Sequence, residues 1–138
     1  MTPWIGKKTG FALCGLFFSS YLALIFCTFK DYGITWDEYI GHSYGQHIIN
    51  YYSTLFRDQT ATTYVNVYLY GGFFETLCVL FSKITAYAGM GVYEARHLLN
   101  ALMGFMGIYY AFLLGTRISG SRGIGLLSAL FLFFMPRY

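Results

Sequence analysis

The sequence predicts an all-α integral membrane protein: a polytopic helical bundle with an external amphipathic helix next to the membrane. Three observations lead to this fold class. Hydrophobic residues make up 57% of the 138 residues and aromatic residues 22%. Charged residues make up only 11%, against roughly 25% in soluble domains. Two stretches without Asp, Glu, Lys or Arg are 19 and 20 residues long, enough to cross a bilayer. This composition excludes a soluble domain, a disordered segment and a nucleic-acid-binding module.

The first predicted transmembrane helix is 11–29, which follows the basic pair Lys7 and Lys8. The apolar run is too long for a signal-peptide core, and no small-x-small cleavage site precedes Lys30. We therefore expect an uncleaved helix with a cytoplasmic N-terminus. Small residues spaced four apart give this helix a packing face: Gly15, Ser19 and Ala23.

The stretch 30–96 is predicted to be an external loop that holds interfacial helices. Six charged residues lie between Lys30 and Tyr70. Apolar residues recur there at helical spacing, which predicts an amphipathic helix with its apolar face on the membrane. These apolar positions are Ile40, Tyr44, Ile48, Tyr51 and Leu55.

The stretch 68–87 has two interpretations, a span or a surface segment. It is apolar enough to span, but it contains Glu75, and an unpaired carboxylate inside a membrane is costly. Gly71 and Gly72 at its start also permit a turn.

The next predicted span is 97–116, and a final apolar helix, 123–138, begins after Arg117 and Arg122. The apolar part of this last helix is too short to cross a bilayer before Pro136. We therefore expect residues 1–138 to form one membrane domain that is an incomplete N-terminal segment of a longer protein. The density of basic residues in short segments favours three spans over four.

The cysteines and the net charge suggest no site. Cys14, Cys27 and Cys78 are odd in number and lie in apolar runs, as buried small hydrophobic residues do. The formal charge of +3 is spread over isolated basic residues, so it indicates membrane topology rather than a polyanion site.

The candidate site is the acidic pair Asp37 and Glu38, directly after the first predicted span. Such a pair can favour a helix N-terminus, where Thr35 or Asp37 is a candidate N-cap. It can also bind a divalent cation, or supply a general base for an acceptor hydroxyl. Spacing alone favours the capping role.

Four motifs, in order and spacing, resemble the start of the GT-C membrane glycosyltransferases. They are closest to the family-39 type, which includes protein O-mannosyltransferases and bacterial relatives that use polyprenyl-phosphate sugars. The motifs are Trp36-Asp37-Glu38-Tyr39, the helix start Val92 to Leu102, the basic turn Leu114 to Gly123, and Ser128 to Arg137.

This resemblance implies that Asp37 is the catalytic base. It would deprotonate the acceptor hydroxyl as that oxygen attacks the anomeric carbon of a lipid-phosphate sugar, with Glu38 as its catalytic neighbour. The stretch 67–72 departs from the family's Pro-rich motif. The family's second acidic motif would lie beyond Tyr138. No cofactor is implied with certainty, and a divalent cation stays open.

Arg96, His42 and Tyr39 are the candidate substrate-binding residues. A guanidinium at a membrane boundary can bind a lipid phosphate, although anchoring at the interface is the simpler role for Arg96. Glu38 and His42 share a helix face, where a solvated pair is the simpler interpretation. The spacing of His42 and His47 excludes a zinc pair, and no metal ligand is predicted.

Two functions are therefore expected from this sequence. The first is a multi-pass glycosyltransferase segment of the bacterial plasma membrane, whose partners are the lipid bilayer and a polyprenyl-phosphate sugar, with no nucleic acid. The alternative is a small multi-pass protein without enzymatic activity, a transporter subunit or assembly partner. The sequence identifies neither the sugar, nor the acceptor, nor the oligomeric state.

Overall fold

The computed structural model describes residues 7–135, which form five α-helices and three short 3-10 helices and contain no strand. The α-helices are α1 (Lys7–Thr28), α2 (Trp36–Ser53), α3 (Phe73–Thr85), α4 (Val92–Ser119) and α5 (Arg122–Phe133). The 3-10 helices are Thr60–Thr62, Val67–Tyr70 and Ala86–Ala88. The predicted all-α class is therefore confirmed for these residues.

Two of the described helices are long and apolar enough to cross a membrane. They are Lys8–Thr28, with a mean hydropathy of 2.0 over its most apolar window, and Val92–Ser119, with 1.6. Both correspond to predicted spans, and the second begins five residues earlier than predicted. Few residues of these windows are buried, 17% and 11%.

The other apolar segments form shorter helices. Within the ambiguous stretch 68–87, only the 13 residues of α3 form an α-helix. Gly71, at φ 81°, lies shortly before this helix, and Gly89, at φ 74°, follows the 3-10 turn after it. Thirteen residues rise about 20 Å, less than the roughly 30 Å of hydrocarbon. Helix α5 ends at Phe133, and the predicted end of this helix, 136–138, lies outside the described residues.

The chain divides into two compact units. In the first, residues 7–29 and 100–135, aromatic side chains pack α1 on its neighbours. The Phe18 ring contacts three rings of α4 edge-on at 5.4–5.7 Å: Phe105, Tyr109 and Phe112. Gly115 of α4 lies so close to α5 that a β-carbon there would stand 2.5 Å from Ser128 Oγ. Gly115 therefore allows close contact of α4 with α5 inside this unit.

The second unit, Lys30–Leu99, is built around the contact of α2 with α3. Tyr44 is 5% exposed, and Cys78 and Val79 are 1% exposed. Ile48 and Tyr44 pack on Gly72, where a β-carbon would clash with the Ile48 side chain. The middle of the apolar face predicted to lie on the membrane is thus covered by α3. Of the residues on this face, only Leu55, at its end, is classed as exposed.

Candidate functional site

Two adjacent residues near the start of α4 each contact a carboxylate from another helix of the second unit. Arg96 Nη1 and Nη2 donate hydrogen bonds to Glu75 Oε2 and Oε1 of α3, at 2.5 and 2.9 Å. His97 Nε2 lies 3.1 and 3.2 Å from the two carboxylate oxygens of Glu38 of α2. We call these four residues the charge cluster. It joins three helices through side chains alone.

The charge cluster is largely shielded from solvent. Its side chains are 12–17% exposed, so the charges interact in a medium less polar than water. The Arg96 guanidinium also lies 5.4 Å from the centre of the Phe74 ring, and the Tyr32 ring meets the His97 ring edge-on at 5.8 Å. The two parallel hydrogen bonds between Arg96 and Glu75 fix the relative orientation of these side chains as well as their distance.

Two glycines of α2 let α3 approach closely enough to place Glu75 in the charge cluster. Gly41 and Gly45 are four residues apart and both buried. A β-carbon at Gly41 would stand 2.6 Å from Glu75 Oε2, and one at Gly45 would stand 2.5 Å from the Glu75 carbonyl oxygen. This small-x-x-x-small spacing allows close contact of two helices.

Asp37 lies on the open surface in the first turn of α2. The Thr35 hydroxyl lowers the pKa of the Asp37 carboxyl, with smaller contributions from backbone amides and from Arg96. Thr35 itself occupies the N-cap position but makes no capping hydrogen bond through its side chain. Trp36 and Tyr39, on either side of the acidic pair, are 81% and 64% exposed. Asp37 is therefore an ionised, accessible carboxylate flanked by exposed aromatic rings.

His42 borders the charge cluster. Its Nε2 lies 3.0 Å from Gln46 Nε2, and because the amide nitrogen can only donate, the imidazole accepts there and is neutral. Burial lowers the pKa of His42, and Arg96 and Lys83 lower it further against the opposing effect of Glu75.

The structure therefore separates the residues predicted for the site. Glu38 and Arg96 belong to the charge cluster, and His42 borders it. Asp37 and Tyr39 are exposed outside it. Glu38 and His42, predicted to share a face, contact different partners, His97 and Gln46. Arg96, the candidate for a lipid phosphate, has both terminal nitrogens on Glu75.

The sequence analysis assigned no role in a site to His97, and it treated Glu75 only as a carboxylate that would be costly inside a membrane. Each left a signal in the sequence. A single carboxylate in an apolar helix requires a partner, and Arg96-His97 is a basic pair at the start of an apolar helix. The four-residue spacing of Gly41 and Gly45 was visible as well.

Within residues 7–135, no group of three or more His, Cys, Asp or Glu side chains converges where a metal ion could bind. The divalent cation that the sequence leaves open is not tested by this finding. Among the described residues, Glu38 is paired with His97 at the start of α2, whereas its neighbour Asp37 makes no ion pair and can accept a proton.

Comparison of the chain with protein-family models, with curated proteins and with solved structures found no match.

Proposed function

We propose that this chain is a multi-pass segment of a membrane glycosyltransferase. It would transfer a sugar from a polyprenyl-phosphate donor to a lipid, glycan or protein acceptor. We place it in a bacterial plasma membrane, with its N-terminus in the cytoplasm and residues 30–96 outside. Two helices support the membrane location, because their apolar windows are only 17% and 11% buried, whereas the core helix of a soluble protein is mostly buried.

Asp37 and Glu38 differ in their exposure to solvent, and this difference supports different roles for the two carboxylates. Glu38 is 15% exposed and contacts His97, which leaves it poorly placed to meet an acceptor. Asp37 is exposed on the first turn of the same helix. Glu38 therefore acts as the anchor of the turn, and Asp37 as the base that this turn presents.

The proposed reaction is a displacement at the anomeric carbon. The acceptor oxygen forms a bond to that carbon while the bond from the carbon to the phosphate oxygen breaks, and the lipid phosphate leaves with the electron pair. Asp37 accepts the proton of the acceptor hydroxyl. A carboxylate with a lowered pKa is a weak base, which suits an oxocarbenium-like transition state in which the proton moves late.

The exposed aromatic residues Trp36 and Tyr39 support the same assignment. Their rings flank Asp37 in sequence and are 81% and 64% exposed. Amphipathic rings suit the interface between headgroups and water, where a lipid-linked donor presents its sugar. Asp37 would thus lie at the depth at which donor and acceptor meet.

The test is sugar transfer from a polyprenyl-phosphate donor in membranes that contain the protein. Asp37→Asn keeps the size of the side chain but removes its basicity, so turnover should fall by about 10²–10⁴-fold. Glu38→Gln is the matched control and should lose less, because an amide can still hydrogen-bond His97. Turnover close to wild type in Asp37→Asn at equal expression would remove Asp37 from the mechanism.

One observation favours the alternative, a non-enzymatic transporter subunit or assembly partner. Within the part of the chain that the structure describes, the small residues of α1 are uncovered: a β-carbon at Gly15 would meet no atom within 4 Å, and Ser19 and Ala23 are exposed. Such a face suits a partner helix in a membrane. A stable protein complex that is lost in Gly15→Leu, together with no transfer activity, would support this alternative.

A further inference from the structure

Two consecutive left-handed residues follow the end of α2, and both are apolar. Leu55 has φ 53° and Phe56 has φ 68°. The turn is closed by hydrogen bonds from Phe56 N to the Tyr51 carbonyl, at 2.8 Å, and from Leu55 N to the Tyr52 carbonyl, at 3.2 Å. Glycine or asparagine usually occupies the left-handed position after a helix, since a β-carbon is crowded there. Folding of the chain alone would favour glycine at 55.

The same residues form an exposed apolar cluster. Leu55 is 77% exposed, Tyr52 63% and Phe56 52%. The Phe56 ring lies 5.0 Å from the Tyr51 ring and 5.7 Å from the Tyr52 ring, between centroids. We call Tyr51, Tyr52, Leu55 and Phe56 the tip. A strained backbone that turns apolar side chains outwards indicates that something outside the second unit contacts them.

We propose that the tip inserts into the headgroup region of the bilayer and anchors the second unit to the membrane surface. This inference rests on the proposed membrane location. It depends first on chain connectivity, because residues 29–91 connect the two helices long enough to span, α1 and α4. This stretch must therefore begin and end at a membrane surface.

The chemistry of the tip fits a bilayer interface. Tyrosine rings can lie among lipid chains while their hydroxyls stay in water. Arg57, exposed directly after Phe56, can contact lipid phosphates, as basic residues beside an interfacial apolar cluster do. An open depression of about 550 Å³ lies at the same place and is lined by Ser53, Thr54, Leu55, Arg57 and Asp58. It gives a headgroup room beside Leu55.

The burial of α2 identifies the tip, and not the whole helix, as the contact. Tyr44 is buried and Ile48 is partly covered, whereas Leu55 at the end of the same stripe is exposed. An anchor of this size would hold the C-terminal end of α2 at the interface, while Asp37 lies at the N-terminal end of the same helix. The depth and tilt of α2 would then set the height of Asp37 above the lipid.

The test uses a fluorescent probe on a single cysteine, with Cys14, Cys27 and Cys78 replaced by alanine. The protein carries the probe at Leu55→Cys or at the control Thr62→Cys, which is also exposed and has threonines at positions 60 and 63. It is reconstituted into vesicles of phosphatidylcholine and phosphatidylglycerol. The probe at 55 should be quenched several-fold more by a lipid with a nitroxide near the headgroup than the probe at 62. Aqueous iodide should show the reverse order.

Three results would overturn the proposal. Equal quenching by iodide at both positions would place the tip in water. A probe at 55 that neither quencher reaches would mean that another protein or a second copy covers it. A chain that does not float with the vesicles would overturn the membrane location as well, so the two failures are distinguishable.

Leu55→Asn is the second variant, because asparagine tolerates the left-handed conformation but is polar. With a probe at Tyr52→Cys, this change should raise iodide quenching several-fold while the thermal midpoint in detergent stays equal or rises. A midpoint that falls would assign Leu55 to internal packing and overturn the proposal.

Discussion

The Arg96 guanidinium donates hydrogen bonds through both terminal nitrogens to the two carboxylate oxygens of Glu75, at 2.5 and 2.9 Å. The next residue of α4, His97, contacts Glu38 at the start of α2. Two consecutive residues thus hold the first turns of two other helices. Because Asp37 neighbours Glu38, the geometry of the proposed base depends on these pairs.

Removing Glu75 from its pair should destabilise the protein strongly. Glu75→Gln leaves the Arg96 charge with 15% exposure and no opposite charge in its two-point contact. Breaking a largely buried pair in this way costs about 2–4 kcal/mol. The measurement is thermal unfolding in detergent micelles.

Arg96→Lys is the matched control, since it keeps the charge but loses the fork geometry. It should fall between wild type and Glu75→Gln. The double variant Glu75→Gln with Arg96→Gln should lose less than the sum of its single changes. Additive losses would show that the two side chains do not interact.

The two long apolar helices were predictable from sequence and the charge cluster was not, for a physical reason. Hydropathy is a local property, so 11–29 and 97–116 could be located without knowledge of the fold. The contact of Arg96 with Glu75 joins residues 21 apart, and that of His97 with Glu38 joins residues 59 apart. Such pairs depend on how α2, α3 and α4 pack, which periodicity does not encode. Asp37 was found because its motif is contiguous.

Gly45 of α2 should tolerate alanine less well than Gly15 of α1. In Gly45→Ala the new methyl group would meet the Glu75 carbonyl oxygen at 2.5 Å and Val79 at 2.8 Å, and backbone cannot move aside locally. Overpacking of about 1–3 kcal/mol should exceed the gain in helix propensity, about 1 kcal/mol. Gly15→Ala, which meets nothing within 4 Å, should not lower the midpoint of unfolding. A stabilised Gly45→Ala would contradict the close contact of α2 with α3.

The proposed topology predicts which residues an impermeant thiol reagent reaches in intact cells. Thr62→Cys should be labelled, because Thr62 is exposed in the external loop. Ser121→Cys should not, because it lies in the turn between α4 and α5, on the proposed cytoplasmic side. The native cysteines are replaced by alanine in both.

Permeabilised cells provide the control, since both positions should then be labelled and the half-buried Ser121→Cys is thereby shown to be reachable. Labelling of both positions in intact cells would mean that 68–87 crosses the membrane. The length of α3, 13 residues, argues for the opposite result, because so short a helix rises only about 20 Å.

His42 should make the protein less stable as the solution becomes acidic. Its folded pKa is lowered below the usual 6.5 by burial, then by Arg96 and Lys83, against the opposing effect of Glu75. The unfolded chain therefore binds a proton more readily than the folded one, so the stability present above pH 6.5 is lost as the pH falls from that value through the lower pKa of the folded state. Protonation also removes the acceptor that Gln46 uses, at 3.0 Å. The measurement is the thermal midpoint between about pH 5 and pH 8, the range in which an imidazole titrates.

His42→Gln keeps a hydrogen-bonding group but cannot titrate, so its midpoint should fall less with acidification than that of wild type. If the two pH profiles are parallel, another group causes the acid sensitivity, and the burial of a neutral His42 beside Arg96 has no energetic consequence.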